Sequence, residues 1–196
     1  MDDGMKNRPT LFDIYTYDQV TNAMTVPLQV GTYNELYNPI DPSPALTRDL
    51  SQQVLDYLDQ CSEEIDEMYK IRLTIEITGE ERNATLEAQC GHSIKNFYQH
   101  EIAITQNRIK RTRKAAFKHL LVSLACLTVY VVSYQFVLNG LFFDVIKEAI
   151  LIGGWVFMWE SVTHNFIQVA PIQDEIKRCQ RLIDAPVVFL YSSVLP

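Results

Sequence analysis

The feature that most constrains this chain is an uninterrupted apolar run at residues 119–138. Its twenty residues, HLLVSLACLTVYVVSYQFVL, contain no Asp, Glu, Lys, Arg, Pro or Gly. A helix of about 20 residues is roughly 30 Å long, which matches the hydrocarbon core of a bilayer. The alternative is a helix buried in a large soluble core, but a chain of 196 residues has too little remaining material to surround it. The run therefore predicts a transmembrane helix.

A second apolar run, AILIGGWVFMW at residues 149–159, is too short to cross a membrane alone. Extending it to residues 146–168 gives a second span. Lys147 and Glu148 then lie at one interface, and Glu160 and His164 lie at the other. Only about ten residues separate the two runs, so we expect them to form an antiparallel transmembrane hairpin over residues 119–168.

Basic residues predict the orientation of this hairpin, because Lys and Arg near a span stay on the cytoplasmic side. Beyond the second span come Lys177, Arg178 and Arg181, whereas the loop between the spans has only Lys147. Both termini are therefore expected in the cytoplasm. Six more basic residues precede the first span: Arg108, Lys110, Arg111, Arg113, Lys114 and Lys118.

These six residues are interpreted as contacts for anionic lipid headgroups. Nucleic-acid binding is the alternative, but the segment adjoins a span and the whole chain has a net charge of −7. We therefore expect a lipid partner and no nucleic acid.

The four cysteines are scattered without a C-x-x-C pair, which predicts reduced thiols rather than a disulfide framework or a zinc site.

The remaining segments predict a small cytoplasmic α/β module. Alternating apolar residues at 71–78 and a β-branched and aromatic run at 187–191 indicate two strands that lie side by side beneath the membrane. Two strands make a marginal sheet, so we expect N-terminal strands, at 11–17 and 24–30, to join them, or strands of another subunit to do so. An amphipathic helix is expected after residue 49, with Thr47 as its N-cap.

The fold class is therefore α+β: a membrane protein with a transmembrane helical hairpin, a long cytoplasmic helical stalk and the small α/β module. The stalk is predicted because no proline occurs from Glu80 to the end of the first span. Four segments follow from this division. They are an N-terminal extended strap with short strands (1–48), a cytoplasmic helix, strand and stalk helix (49–118), the hairpin (119–168), and a C-terminal helix and strand completing the module (169–196).

Two groups of residues in the second span are candidates for function. Glu160 and His164 are spaced i, i+4, so a helix places them on one face, either as half of a metal site or proton relay or as an interfacial polar cap. Small residues, Ala149, Gly153 and Gly154, permit close approach of another helix, either the first span or a second subunit. Trp159 fits the membrane interface, and Trp155 is expected to pack in the hairpin or between subunits.

The strap and the second span together resemble a family of proteins. NPIDPSP at residues 38–44, EAILIGGWVFMW at 148–159 and APIQDEIKRCQRLIDAPVVF at 170–189 are similar to motifs of an uncharacterised bacterial two-span membrane protein family. The similarity covers roughly residues 33–190, and its most specific part is the I-G-G-W-V-x-M-W element. It implies the two-span topology and no particular activity.

Three functions remain open at this point. The first is a non-enzymatic, self-assembling inner-membrane scaffold or accessory subunit, since no catalytic signature, cofactor motif or complete metal site is present. The alternative is an oligomeric channel or membrane-disrupting effector gated by the cytoplasmic module, with a path lined by polar residues of the first span. A metal-dependent membrane enzyme using Glu160 and His164 is the third. The polar residues are Ser123, Thr128, Ser133 and Gln135.

Overall fold

The computed structural model describes residues 11–44, 48–135 and 140–192. Its fold is α+β, mostly helical with a small sheet, as the sequence predicts. The chain divides into two compact units. The first, here called the α/β unit, comprises residues 1–102 and 177–196, and the second, the helical unit, comprises residues 103–176.

The α/β unit contains a four-stranded sheet. Its strands are β1 (Thr16–Asp18), β2 (Ala23–Val30), β3 (Lys70–Ile77) and β4 (Val187–Tyr191). They lie in the order β1-β2-β3-β4; β1 is antiparallel to β2, whereas β2, β3 and β4 are parallel. The prediction that the two strands lie side by side is confirmed, and the N-terminal segment completes the sheet. Residues 11–14, predicted as strand, instead form a short helix, α1 (Leu11–Ile14).

One face of the sheet carries the core. Along β3 the even-numbered residues are half-exposed and the odd-numbered residues from Ile71 to Ile77 are buried. Met24 and Val26 of β2 continue this face, and so does Phe189 of β4. Leu58 of α2 (Gln52–Glu64) and Ile94 of α3 (Ala84–Ser133) belong to the same cluster. The buried face therefore explains the strict alternation in the sequence.

Helix α2 begins later than predicted. Its N-cap is Ser51, whose hydroxyl accepts a hydrogen bond from the Val54 amide, so the helix starts later than a Thr47 cap would place it. Thr47 itself lies outside the described residues. At the other end, the Arg181 guanidinium donates to four backbone carbonyls at and beyond the helix terminus. The acceptors are Ser62, Ile65, Asp66 and Tyr69, at 3.0–3.1 Å.

Helix α3 is 50 residues long and begins at Ala84, where the Asn83 side chain accepts hydrogen bonds from the Thr85 and Leu86 amides. Residues 136–138 of the predicted first span lie outside the described part of the chain. Within that part, α3 is the one helix long and apolar enough to cross a membrane. Helix α4 (Leu141–Val162) has 22 residues but carries Asp144, Lys147, Glu148 and Glu160.

Helical structure continues beyond α4. A π-helical turn (Thr163–Ile167) leads to α5 (Val169–Asp184), so the chain does not break at Pro171. Pro171 is the third residue of α5, where a missing N–H costs no helical hydrogen bond.

The four thiols are free, as predicted, and burial raises the pKa values of Cys61 and Cys90.

We predict that Arg181→Met lowers the free energy of unfolding by about 2–4 kcal/mol, because four carbonyls lose a charged, partly buried donor. The matched control is Arg178→Met on the same helix. Arg178 makes one partly exposed ion pair, with Glu63 at 3.8 Å, so the loss there is about 1 kcal/mol or less. Thermal unfolding of the detergent-purified protein, followed by circular dichroism, checks both. Equal losses in the two variants would contradict the capping role.

Candidate functional site

In the helical unit, α4 packs antiparallel against the second half of α3. The Ser123 hydroxyl donates to the carbonyl of Gly154 at 2.8 Å. A Cβ added at Gly154 would lie 3.2 Å from the Leu127 side chain and 3.3 Å from Cys126. The two backbones therefore approach closely at Gly154, where α4 has no room for a side chain. The Ser123 hydroxyl has its hydrogen-bond acceptor on the other helix.

The face by which these helices touch is made of small and polar residues. On α3 the buried positions of the helical unit are Thr105, which contacts Glu175 of α5, and Ile109, Ala116 and Ser123; on α4 they are Gly154 and Ser161. Ala116 and Ser123 are seven residues apart, and so are Gly154 and Ser161. Seven residues are two helical turns, so each pair shares one face. This contact thus relies on close approach rather than on large apolar side chains.

The large apolar side chains lie on the outside instead. Twelve of them, five on α3 and seven on α4, are exposed by half or more. They are Phe117, Leu121, Leu124, Val129 and Val131 of α3, and Leu141, Phe142, Val145, Ile152, Trp155, Val156 and Trp159 of α4. A soluble protein buries such side chains, so this distribution is inverted. It is the distribution expected where lipid tails surround a helix pair.

The small residues predicted for helix packing divide between two faces. Gly154 makes the contact with α3, so the prediction holds for this residue. Gly153 lies on another face, and a Cβ added there would meet nothing within 4 Å. Ala149 is exposed, and Trp155 is 61% exposed rather than packed between the two helices. Ala149 and Gly153 are therefore available for a contact outside this helix pair.

A polar cluster lies where α4 passes into the π-helical turn. His164 Nε2 is 3.2 Å from a carboxylate oxygen of Glu160, and His164 Nδ1 is 2.6 Å from the side-chain oxygen of Gln168. The predicted i, i+4 contact is therefore present. The His119 ring stacks on that of His164, with centroids 5.3 Å apart and an interplanar angle of 17°. His119 is 45 residues before His164 in the sequence, so no local spacing indicates this contact.

The cluster suits hydrogen bonding better than metal binding. Both nitrogens of His164 face oxygen acceptors, and a protonated imidazole would donate to both. The His119 and His164 rings are stacked, so their in-plane lone pairs do not converge on one point. His119 Nδ1 is buried without a hydrogen-bond partner. In the described ranges, no group of three or more His, Cys, Asp or Glu side chains could hold a metal ion.

The basic segment of α3 is exposed, as a headgroup-binding segment must be. Arg108 differs from the other five, because its guanidinium forms an ion pair with Glu175 of α5 at 3.6 Å. Within the described parts of the chain, the others have no acidic side chain at ion-pair distance. They are Lys110, Arg111, Arg113, Lys114 and Lys118.

A second polar group lies at the opposite end of the helix pair. Lys147 is 3.8 Å from Asp144, and its ammonium lies 5.5 Å from the ring centre of Tyr134. Tyr134 in turn shares a 2.9 Å hydrogen bond with Tyr130. The lysine is thus held by a carboxylate and an aromatic face. The i, i+4 spacing of the two tyrosines is the sequence signal that could have identified this group.

No family model matches the sequence, and comparisons with curated proteins and with solved structures find no significant match. The resemblance described above therefore stays a prediction. Interpretation of the helical unit rests on its own geometry.

We predict that Gly154→Ala lowers the free energy of unfolding by about 1–3 kcal/mol, since the new methyl group would press on Leu127 and Cys126. Gly153→Ala is the matched control, because the added methyl group meets open space. Thermal denaturation in detergent checks the pair. At this open helical position the higher helix propensity of alanine is expected to raise stability by about 0.5–1 kcal/mol. A Gly153→Ala variant as unstable as Gly154→Ala would therefore contradict the assignment of the α3–α4 contact to Gly154.

Proposed function

We propose that the protein is a non-enzymatic, self-assembling scaffold or accessory subunit of a bacterial inner membrane. The α3–α4 pair is its membrane anchor, and the α/β unit is its cytoplasmic module. The observation that carries this proposal is the inverted surface of the helical unit, with small and polar residues inside and large apolar side chains outside.

The second span of the anchor is α4. Its charges are confined to its ends: three lie in its first eight residues and one, Glu160, near its last turn. At each end the charged side chains have polar or aromatic partners. Lys147 contacts Asp144 and Tyr134 at the start of the helix, and His164 contacts Glu160 at its end. The uncharged stretch between them, residues 149–159, is about 16 Å long, roughly half the thickness of the hydrocarbon core, so the flanking charges would reach into the core and need these partners there.

The orientation follows from the unpaired basic residues of α3. Five cations without an acidic partner in the described structure adjoin the apolar part of the helix. In the proposed topology they contact anionic headgroups of the cytoplasmic leaflet, and each such contact is worth about 1 kcal/mol. Both chain termini are then cytoplasmic.

The contacts of the hydroxyl groups favour a scaffold over a channel. A path for ions needs polar groups that are directed at the path. Ser123, however, donates to Gly154, Thr128 to the Leu124 carbonyl and Ser133 to the Tyr130 carbonyl. These hydroxyls satisfy helix backbone, which is their common role in membrane helices. Self-assembly is supported by the exposed Ala149 and Gly153 face of α4.

The topology predicts the behaviour of reporter fusions to the full chain. A fluorescent protein fused after Pro196 fluoresces, and alkaline phosphatase at the same point is inactive because it remains in the reducing cytoplasm. Phosphatase inserted between Gln135 and Gly140 is active. Active phosphatase at the C-terminus would contradict the proposed orientation, and inactivity at both sites would contradict a two-span anchor.

The self-assembly predicts that Gly153→Leu lowers the number of chains per particle, since a large side chain blocks close approach of a second α4. Native mass spectrometry of the detergent-purified protein measures that number. Val132→Leu, at an exposed position on α3, is the control and leaves the number unchanged. A monomeric wild-type protein would overturn self-assembly, whereas an unchanged Gly153→Leu particle would overturn only this contact face.

A further inference from the structure

Strand β4 is the end strand of the sheet, and its outer edge is unpaired among the described strands. On its inner side, the carbonyl of Pro186 accepts a 3.0 Å hydrogen bond from the amide of Leu73 in β3. Backbone groups of successive residues alternate between the two sides of a strand. The N–H and C=O groups of Val187, Phe189 and Tyr191 are therefore directed at the open edge.

This edge lacks the features that usually prevent a sheet edge from pairing. The strand reads VVFLY and contains no charge, proline or glycine. Its two residues on the uncovered face of the sheet, Val188 and Leu190, are 41% and 51% exposed. An apolar edge strand with free backbone groups is a template for the addition of another strand.

A groove of about 390 Å³ runs beside β4, between this strand and the first turns of α3. Val187 and Phe189 line it on the strand side, and Ala88 and Gly91 line it on the helix side. A Cβ added at Gly91 would meet nothing within 4 Å. The middle of the groove therefore has room for one small apolar side chain of an added strand.

The remaining lining of the groove is charged or titratable, and its charges are not equally matched. Glu87 accepts a hydrogen bond from the Tyr191 hydroxyl and forms an ion pair with Arg82 at 3.2 Å. Lys95 is exposed, and no acidic side chain of the described residues lies at ion-pair distance from it. His92, three residues before Lys95 on α3, adds a nitrogen ligand for an anionic group. The unmatched charge of the groove is therefore positive.

This positive charge lies near the start of β4. Glu87 marks the other end of the strand, because it contacts Tyr191. Lys95 lies eight residues further along α3, which is about 12 Å. The five residues of β4 span about 13 Å, so Lys95 is level with Val187. The groove thus combines an apolar middle with a cation at one end.

We propose that the β4 edge binds an extended segment of a partner protein, which adds to the sheet as a fifth strand and carries an acidic side chain for Lys95. The segment runs antiparallel to β4, since antiparallel pairing is the slightly more stable arrangement. Backbone hydrogen bonds supply the affinity in this mode of binding, and the pockets for alternate side chains supply the selectivity. The inference goes beyond the proposed membrane anchor and does not depend on self-assembly.

The register fixes which side chains of the segment enter the groove. Residues directly opposite each other in an antiparallel pair place their side chains on the same face. The residue opposite Phe189 therefore enters the apolar middle beside Gly91. The residue two positions later lies opposite Val187 and contacts Lys95. The segment thus reads apolar-x-acidic from its N-terminal to its C-terminal end.

A charge exchange tests the contact with Lys95. The probe is the synthetic peptide GTTVTEG, acetylated and amidated so that its termini carry no charge, and thermophoresis of the fluorescently labelled full-length protein in detergent measures binding. We expect Lys95→Glu to weaken binding about fivefold or more and the peptide GTTVTKG to bind this variant better than the wild-type protein. Lys70→Glu, an exposed substitution on the uncovered face of β3, is the control and leaves binding of both peptides unchanged.

Backbone methylation of the probe tests strand addition independently of charge. In the proposed register, the N–H of the peptide valine donates to the Phe189 carbonyl, whereas the N–H of the following threonine is directed away from β4. N-methylation of the valine is therefore expected to weaken binding about tenfold or more. N-methylation of that threonine is the matched control and changes binding less than about twofold.

Three results would overturn this inference. Absence of binding to the wild-type protein at about 1 mM peptide would exclude the docking site. Equal losses from the two methylations, or equal binding of both peptides by the wild-type and Lys95→Glu proteins, would exclude the proposed register. A peptide that lowers the number of chains per particle in native mass spectrometry would assign the edge to a second copy instead of a partner. The reporter fusions and Gly153→Leu test the membrane anchor and its self-assembly separately.

Discussion

The parallel pairing of β3 with β4 is the constraint on which the rest of the structure depends. A parallel pair cannot be closed by a tight turn, so the chain must leave the sheet at the end of β3 and return to the opposite end, where β3 began. Here the connection consists of α3, α4 and α5. Because β4 pairs with β3 only if the chain returns, the outgoing and returning helices must run antiparallel. Arg181, in the last turn of α5 shortly before β4, stabilises this arrangement by donating hydrogen bonds to carbonyls at the end of α2.

The exposed surface of the α3–α4 pair supports the proposed membrane anchor. Twelve large apolar side chains of the two helices are exposed by half or more, and each would cost on the order of 1 kcal/mol to leave in water at that exposure. Their sum is comparable with the whole stability of a typical domain. In a bilayer this cost disappears, and helix association depends on close approach and hydrogen bonds instead. Ser123 and Gly154 supply both.

The proposed contact between copies depends on small residues of α4. Ala149 and Gly153 lie away from the contact with α3, and a Cβ added at Gly153 would meet open space, so a second helix could approach there. In the proposed anchor, the polar cluster of His119, His164 and Glu160 would lie at one end of the helix pair.

The sequence by itself determined the features that depend on neighbouring residues. The apolar run, the alternation of β3, the composition of β4 and the basic segment of α3 are local patterns, and each predicted an element or a surface that the structure contains. What only the tertiary structure decided depends on rotation and on distant partners. Adjacent helical residues differ by about 100° around the axis, so Gly154 contacts α3 while Gly153 faces outward. His119 stacks on His164, and Arg181 caps α2. Both contacts join residues that are far apart in the chain, and a local sequence pattern does not indicate which distant residue a side chain contacts.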